Sequence, residues 1–359
     1  MNYIIQFILM PFSILYGLIN TIINWLYEKK ILKSVRFAHP VICVGNLSVG
    51  GTGKTPHIEY LIQLLKPHYH IATLSRGYGR KTAGLLYANE NSTAAEIGDE
   101  PMQYSMKNPE IPVVVGENRL LAIPDILSSY PNNQCILLDD AMQHRSVKAG
   151  LNIMISQYDK PFYKDFIIPA GRLREPRSGY KRADIIVVSK CPENISPEEQ
   201  DKIIEHIKPF SYQHVYFSSF QYGSIYPMFT HLPFINDWKD YTIFILTGIA
   251  DNSKMINYCK SICKEVFSFD YKDHHYFDRY DIEKVSDLFN EIKNEKKIII
   301  TTEKDATRLA LEKEFIWKKN LPIYLLPIQV KFIENNKSKF EADIHQYLSV
   351  TLQKNNKTI

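Results

Sequence analysis

Short, continuous runs of apolar residues recur along the chain, and segments with helical periodicity lie between several of them. The first of these runs occupy residues 41–44, 71–74, 113–115, 135–138 and 185–188. Strands that are buried on both faces of a parallel sheet have this continuous Val, Ile and Leu character, because helices cover each face. The pattern therefore predicts an α/β fold in which helices cover a parallel sheet.

Two further apolar runs, residues 242–246 and 297–301, flank a helix-like stretch at residues 282–292. They predict a second, smaller α/β lobe. Aromatic residues, Pro and Gly interrupt any periodicity between residues 209 and 240, so we expect the boundary there. The predicted division is an N-terminal segment of residues 1–36, a larger domain of residues 37–220 and a C-terminal lobe of residues 221–359.

The first 27 residues are an apolar segment of another kind, because they contain no Asp, Glu, Lys, Arg or His. A cleavable signal peptide would begin with basic residues, and none precede this segment. The segment is nearly long enough to span a bilayer as a helix, although Pro11 interrupts it. A helix buried in the protein core is a further possibility.

The polar residues of this segment favour a helix that lies flat in the membrane interface. They recur at helical spacing and form a weakly polar stripe of Gln6, Ser13, Gly17, Asn20 and Asn24. Cationic residues that could meet anionic headgroups follow directly, at Lys29, Lys30, Lys33 and Arg36. In any membrane-bound arrangement, these cationic residues predict that the body of the protein lies on the cytoplasmic side.

Composition narrows the function classes only slightly. The chain has 359 residues, enough for two domains, and its net charge of +4 is too small to indicate nucleic-acid binding by itself. We predict no nucleic-acid partner and no obligate protein partner. The five cysteines lack the spacing of a zinc site and are expected to be reduced thiols in a cytosolic protein. They are Cys43, Cys135, Cys191, Cys259 and Cys263.

The strongest candidate for chemistry is the sequence SVGGTGKT at residues 48–55, which follows one apolar run and precedes a helix-like run. This context is that of a phosphate-binding loop (P-loop) in NTPases. Backbone N–H groups would cradle the phosphates of ATP, Lys54 would reach the β- and γ-phosphates, and Thr55 would hold Mg²⁺. Ser48 stands where the usual pattern has its first glycine. The predicted nucleotide-binding residues are Ser48, Val49, Gly50, Gly51, Thr52, Gly53, Lys54 and Thr55.

A strand that ends in carboxylates supplies a partner for this loop. Residues 135–138 run directly into Asp139 and Asp140, and Gln143 and His144 follow them. Because ligands bind at the carboxyl ends of strands in open α/β sheets, these aspartates are predicted to hold Mg²⁺. The alternative is a strand-terminal aspartate that caps the next turn.

Phosphoryl transfer to a hydroxyl also requires a base and cationic groups. The acidic pair in residues 98–101 and the sequence Asp-His-His at residues 273–275 are candidates for the base and its partner. Two arginine-containing loops, residues 75–80 and 171–177, are candidates for binding phosphate oxygens. Within the second loop, we expect Arg174 to bind the nucleotide.

Taken together, these segments resemble the tetraacyldisaccharide 4'-kinases of lipid A biosynthesis. The resemblance rests on the extended phosphate loop at residues 44–56 and on four motifs elsewhere. These are SRGYGR, GDEP, LREP and TTEKDA, which begin at Ser75, Gly98, Leu173 and Thr301. Residues 138–144 are similar to the family's LDDGFQH, with Ala141 and Met142 in place of Gly-Phe. The similarity extends from about residue 41 to residue 306, and the apolar N-terminus also fits.

The resemblance implies an enzyme that uses ATP and Mg²⁺ to phosphorylate the 4'-hydroxyl of a tetraacylated disaccharide 1-phosphate, giving lipid IVA. It implies that Asp99 is the catalytic aspartate and that His274 is its partner, with the adjacent His275 as an alternative; Lys54 completes the predicted catalytic set. The family's positions around the metal and the nucleotide correspond to Asp139, Asp140, Gln143, His144 and Glu175. All of these except His144 join Thr55 as predicted ligands of Mg²⁺.

The predicted partners are therefore an acylated disaccharide 1-phosphate lipid and the surface of the inner membrane. The predicted location is the cytoplasmic face of the bacterial inner membrane, either peripheral or anchored by the N-terminal helix. An alternative function is a membrane-associated P-loop NTPase that acts as a conformational switch. Such proteins usually carry the nucleobase motif N-K-x-D, of which residues 189–192 are at most a remnant. A nucleotide-binding membrane scaffold without catalysis is a third possibility.

Overall fold

The computed structural model describes residues 3–334 and 336–356, and in these residues the strands form two sheets. The strands are β1 (Val41–Gly45), β2 (Ile71–Ser75), β3 (Leu86–Tyr87), β4 (Val113–Val115), β5 (Cys135–Asp139), β6 (Leu151–Gln157), β7 (Ile185–Ser189), β8 (His214–Tyr222), β9 (Tyr226–Pro227), β10 (Thr242–Thr247), β11 (Glu265–Asp270), β12 (Lys297–Thr302), β13 (Ile323–Leu326) and β14 (Ile328–Phe332).

The helices are α1 (Tyr3–Glu28), α2 (Lys54–Leu65), α3 (Ala94–Ile97), α4 (Asp99–Lys107), α5 (Arg119–Ser129), α6 (Pro197–Ile207), α7 (Ser253–Ile262), α8 (Arg279–Glu291), α9 (Glu303–Leu309), α10 (Lys313–Lys318) and α11 (Asn336–Asn356). Short 3-10 helices lie at Phe162–Lys164, Arg177–Arg182 and Ala310–Glu312.

The larger sheet has the strand order β14-β8-β7-β6-β1-β5-β2-β4-β3. Its strands pair in parallel from β8 to β4, whereas the edge strands β14 and β3 are antiparallel to their neighbours. Alternate residues of β1 enter two different cores: Val41 and Cys43 pack on one face, and Ile42 and Val44 pack on the other. The predicted α/β fold, a parallel sheet covered by helices, is confirmed.

The smaller sheet has the order β11-β10-β12-β13-β9, in which β9 alone runs antiparallel to its neighbour. Phe244 and Ile299 on its central strands pack against Val285 and Phe289 of α8. β10 and β12 contain the two apolar runs from which the second lobe was predicted. This lobe contributes the loop after β11 and helix α9 to the candidate site described below.

The last strand and the last helix return to the larger lobe. β14 follows β13 after Pro327 alone and pairs with β8 of the larger sheet. In α11, three apolar residues at four-residue spacing pack into the same core as the buried side of α2. They are Phe340, Ile344 and Leu348. The predicted lobe of residues 221–359 therefore differs from the structure, in which its final segment packs on the larger sheet. An apolar helical stripe indicates that a helix is buried but not which of two sheets it covers.

Helix α1 continues through Pro11 and packs on the body of the protein by its polar stripe. Ser13 is buried, and its hydroxyl accepts a hydrogen bond of 2.8 Å from the backbone N–H of Ala170. Nearer its end, Asn24 Oδ1 accepts a hydrogen bond of 2.7 Å from Arg145 Nη1. The stripe that favoured an interfacial helix thus also makes contacts with the rest of the chain.

Large apolar side chains of α1 remain exposed, and they include Phe7, Phe12, Leu15 and Ile22. By length and hydropathy alone, residues 4–28 could cross a membrane, and only 11% of the most apolar window is buried in the protein. The helix is therefore not the core helix considered as one alternative. Its exposed apolar surface is a weak indication of membrane association.

Candidate active site

The phosphate loop, residues 48–55, connects β1 to α2, whose first residue is Lys54. Gly50 and Gly53 have φ values of 96° and 98°, a region that residues with a side chain rarely adopt. A Cβ on Gly53 would lie 2.5 Å from Cζ of Phe220, so this position has no room for a side chain. At Gly51, no atom of the described residues lies within 4 Å of a Cβ position, which leaves the loop open to an anion.

A neighbouring segment, residues 172–174, runs beside the phosphate loop. Residues 172–174 pair with residues 47–49 through two backbone hydrogen bonds of 2.7 Å and an antiparallel bridge between Ser48 and Leu173. Ser48 is consequently buried. A side chain is tolerated at this position because the tight turns fall further along the loop, at Gly50 and Gly53.

Arg174 and Lys54 converge on Asp140. Arg174 donates hydrogen bonds of 3.0 Å and 2.6 Å to the two carboxylate oxygens, and Lys54 Nζ lies 3.6 Å from Oδ2. Burial alone would raise the pKa of Asp140. The hydrogen bonds from Arg174 and the charges of Lys54 and Arg174 outweigh this effect and hold the pKa below its usual value. Asp140 thus stays ionised and holds two cations beside the phosphate loop.

Asp139, the last residue of β5, presents one carboxylate oxygen without a partner. Its Oδ2 accepts a hydrogen bond of 2.9 Å from the Tyr104 hydroxyl, whereas its buried Oδ1 has no hydrogen-bond partner among the described residues. Burial raises the pKa of Asp139 to about 7, and the charge of Asp140 adds to the rise. A cation would relieve this buried oxygen, so Asp139 fits Mg²⁺ better than Asp140, which is bonded to Arg174.

Gln143 and Glu175 come together, but each has protein partners. Gln143 Nε2 donates hydrogen bonds of 2.8 Å to Glu175 Oε1 and to the Asn46 carbonyl oxygen. Arg182 donates to the same Glu175 oxygen at 2.6 Å. Gln143 Oε1 is buried and has no hydrogen-bond partner in the described part of the chain. These contacts fasten Glu175 to the start of the phosphate loop, and a role of either residue in binding metal stays a prediction.

The available ligands suit Mg²⁺ rather than a metal held by a protein cage. No group of three or more His, Cys, Asp or Glu side chains that could hold a metal occurs in the described residues. Mg²⁺ does not require such a group, because it keeps water and substrate phosphates as ligands and takes one or two protein carboxylates. Asp139 supplies one such carboxylate, and a role of the Thr55 hydroxyl, on the second residue of α2, stays a prediction.

The two lobes meet at Asp99, the first residue of α4, which is 5% exposed. Its Oδ2 accepts three hydrogen bonds: one of 3.1 Å from His274 Nδ1 and two, of 3.1 Å and 2.7 Å, from Arg308. His274 and Arg308 belong to the smaller lobe and lie 175 and 209 positions away along the chain. Tyr104 of α4 bonds to Asp139 as described above, so this helix connects the two clusters.

The neighbouring histidine has a different partner. His275 Nε2 lies 2.6 Å from Asp281 Oδ2 at the start of α8, and its ring stacks on Tyr271 at a centroid distance of 4.5 Å. The structure therefore places His274, and not His275, beside Asp99. The catalytic roles of Asp99 and His274 stay predictions.

Two buried arginines at the site were missed by sequence reasoning. Arg308 is 0% exposed and lies two residues after the TTEKDA motif, at helical spacing from Lys304. Arg119 begins α5 just beyond the carboxyl end of β4, and its Nε has no hydrogen-bond partner among the described residues. Burial and the charge of Arg76 lower the pKa of Arg119. The position of Arg119 after a buried strand was the signal that could have revealed it.

Comparisons with known proteins cover nearly the whole chain. A family model described as Tetraacyldisaccharide-1-P 4'-kinase matches residues 5–349. The tetraacyldisaccharide 4'-kinase of Flavobacterium johnsoniae is 45% identical over 347 residues, which cover 96% of this chain and 98% of the relative. The enzyme of Bacteroides thetaiotaomicron is 42% identical over 354 residues, with coverage of 95% and 92%.

A solved structure agrees with these sequence matches. LpxK from Aquifex aeolicus, crystallised in complex with ATP, superposes with a TM-score of 0.71 and 29% identity. The match covers 96% of this chain and 99% of that protein. Sequence and fold thus point to one family over the full length of both lobes, and the chain belongs to the tetraacyldisaccharide 4'-kinase family.

Proposed function

We propose that this kinase transfers the γ-phosphate of ATP to the 4'-hydroxyl of a tetraacyldisaccharide 1-phosphate at a membrane surface, giving lipid IVA. The observation that carries the proposal is a glycine loop leading into Lys54 together with α4, whose Tyr104 bonds to Asp139 and whose buried Asp99 contacts His274. A phosphate loop suits the nucleotide donor, and an aspartate with a histidine partner suits an alcohol acceptor. The ATP bound to the Aquifex aeolicus relative supports ATP as the donor.

The donor side of the site is preorganised for anionic phosphates. The open backbone of the glycine loop and the start of α2 would hold the β- and γ-phosphates of ATP. Lys54 lies beside them because Asp140 holds it at 3.6 Å, and Arg174 is fixed by the same carboxylate. Cations that are already in place stabilise the charge of the transition state without reorganisation.

The acceptor side requires removal of one proton. Because three hydrogen bonds occupy Asp99 Oδ2, its Oδ1 is the oxygen that would accept the proton of the 4'-hydroxyl. As the sugar oxygen forms its bond to the γ-phosphorus, the bond between that phosphorus and the β,γ-bridging oxygen breaks, and ADP leaves. His274 stabilises the negative charge of Asp99 before the proton arrives.

Asp139 and Thr55 are the residues that would hold Mg²⁺, with Tyr104 orienting Asp139 by a hydrogen bond of 2.9 Å. When bound, the ion neutralises charge on the β- and γ-phosphate oxygens. Gln143 supports the start of the loop by its hydrogen bond to the Asn46 carbonyl oxygen, and Arg182 holds Glu175 beside it.

The proposed location is the cytoplasmic face of the inner membrane. A lipid acceptor stays in the bilayer, so the enzyme must reach it there. The exposed apolar residues of α1 would enter the interface, and the cationic residues Lys29, Lys30 and Lys33 would face anionic headgroups.

The test is transfer of label from γ-labelled ATP to the purified disaccharide lipid in mixed micelles, with and without that acceptor. We expect labelled lipid from the wild type and from Lys296→Ala, a matched control whose exposed ammonium pairs with Asp240. Lys54→Ala should yield almost none. If labelled inorganic phosphate is the sole product with the acceptor present, the transferase claim fails. The family assignment does not favour the alternative of a conformational switch.

A further inference from the structure

We propose that α9 of the smaller lobe is a positioning element for this reaction. In this arrangement Arg308 fixes the carboxylate of Asp99, and Lys304 fixes the tautomer of His274. The inference rests on the proposed function, in which Asp99 accepts the proton of the sugar hydroxyl. Lys304 and Arg308 are four residues apart in α9, so they project from the same side of the helix.

Arg308 holds Asp99 through one oxygen only. Its Nε and Nη2 donate hydrogen bonds of 3.1 Å and 2.7 Å, both to Asp99 Oδ2. With His274 on the same oxygen, three donors converge there, and Oδ1 receives none of these three bonds. A carboxylate held in this way cannot rotate freely, and its Oδ1 keeps its lone pairs for the acceptor hydroxyl.

The position of Arg308 is itself determined by the smaller lobe. Its Nη1 donates to Asp305 Oδ1 at 3.1 Å and to the carbonyl oxygens of Gly248 and His275 at 3.3 Å. Asp305 is fixed in turn by Thr302, whose hydroxyl donates to its carboxylate at 2.8 Å. The TTEKDA motif therefore builds a rigid support for a guanidinium group that extends to Asp99 in the other lobe.

Lys304 determines which nitrogen of His274 carries the proton. Its Nζ lies 3.3 Å from His274 Nε2, and an ammonium group donates hydrogen bonds but cannot accept them. The Lys304 contact is the shorter of two at Nε2, since Asp273 Oδ2 lies 3.9 Å away. We infer that Nε2 accepts from Lys304, which places the ring proton on Nδ1. That proton points to Asp99 Oδ2 at 3.1 Å. Lys304 is held in place by Glu100 Oε1 at 3.2 Å.

These contacts make the base dependent on the contact between the lobes. Asp99 and Glu100 belong to the larger lobe, whereas Lys304, Arg308 and His274 belong to the smaller one. Separation of the lobes would remove the hydrogen bond from His274 and both hydrogen bonds from Arg308, so Asp99 would lose all three donors at once. α9 would thus align the base only in the arrangement in which the lobes are in contact, which limits proton transfer to the closed site.

The experiment measures kcat and both KM values for lipid phosphorylation by the full-length protein. Lys304→Met is the main variant, because Lys304 is partly exposed and its removal leaves the core intact. Arg308→Lys and Arg308→Met test the second contact. Arg279→Met is the matched control, since its side chain is 75% exposed and pairs with Glu312 in the same lobe.

We expect Lys304→Met and Arg308→Met to lower kcat by about 10-fold or more, with the KM for ATP within about 2-fold of the wild type. Lys304→Arg should restore most of the rate, because it keeps a cation that only donates. Arg308→Lys should fall between the wild type and Arg308→Met, because it keeps the charge but not the fork. Arg279→Met should have wild-type kinetics.

A double-mutant cycle separates positioning from general structural damage. In an Asp99→Asn background, Lys304→Met should lower kcat by less than about 2-fold further, because both residues act through one group. If kcat is unchanged in Lys304→Met and Arg308→Lys, the positioning role is overturned but the proposed function is not. The same holds if the loss of kcat from Lys304→Met is as large in the Asp99→Asn background as in the wild type. Absence of lipid phosphorylation by the wild type would overturn the proposed function together with this inference.

Discussion

A buried ion-pair network joins the two lobes at the end of α4 opposite Asp99. Lys107 Nζ lies 2.9 Å from Glu59 Oε2 on α2 and 2.7 Å from Glu303 Oε1 on α9. Both carboxylates are more than nine-tenths buried, and they line a cavity of about 770 Å³ between the lobes. Lys107 is thus the cation that allows two buried acidic groups from different lobes to lie together.

Replacement of Lys107 by Met should therefore destabilise the protein strongly. Removal of one partner from a buried ion pair leaves the other charge uncompensated, which lowers the free energy of unfolding by about 3–5 kcal/mol. With about 2 °C per kcal/mol for a chain of this size, the melting temperature should fall by about 6–10 °C at pH 8. A matched control is Lys296→Met, which breaks an exposed pair with Asp240 and should change stability by less than about 1 kcal/mol.

The effect of the substitution should depend on pH in a stated direction. Burial, reinforced by the charge of Glu303, raises the pKa of Glu59 from 4.5 to about 7, although Lys107 opposes the rise. A carboxyl group with a raised pKa in the folded state favours folding below pH 4.5, and this contribution is lost as the pH rises through about 7. Without Lys107 that loss increases, so the difference from the wild type should be larger at pH 8 than at pH 5.5.

Thermal unfolding of the two variants and the wild type at both pH values is the assay. Adding Glu303→Gln to Lys107→Met should recover part of the stability, because only one of the two carboxylates then remains. A Lys107→Met protein that melts within about 2 °C of the wild type at pH 8 would refute the reasoning. A loss of the same size at both pH values would also contradict it.

Three further predictions concern the site and helix α1. Asp99→Ala should lower kcat by about 100-fold or more while ATP affinity changes little, and normal turnover would reject its catalytic role. Deletion of residues 1–27 should reduce binding to anionic vesicles and raise the apparent KM for the lipid. Unchanged vesicle binding would contradict the proposed role of α1 as a membrane anchor. Gly53→Ala should destabilise the nucleotide-free protein by about 1–3 kcal/mol, because of its positive φ and its contact with Phe220. Gly51→Ala, which has open space, should melt like the wild type, and equal melting of both variants would contradict the argument.

Much of the molecule was predictable because its signals are local. The glycine loop needs particular residues at fixed spacing, and repeated continuous apolar runs with helical segments between them are typical of a covered parallel sheet. The family and the kinase activity expected from the combination of motifs are confirmed by the matches over the whole chain. The paired lobes also follow from local apolar runs, although the return of α11 to the larger sheet does not.

The contacts between distant residues were decided by the tertiary structure. The motif resemblance favoured His274 over the adjacent His275, but it is the packing that directs His274 to Asp99 and His275 to Asp281. The role of Arg308 likewise depends on the tertiary structure, because the carboxylate that it holds, Asp99, lies 209 positions away along the chain.

The sequence by itself therefore determined the chemistry that is available, since short motifs set the backbone geometry and the types of side chain at each strand end. The tertiary structure decided how those groups are combined. The partners of Asp99 depend on how the two lobes pack against each other, and no local pattern encodes that arrangement.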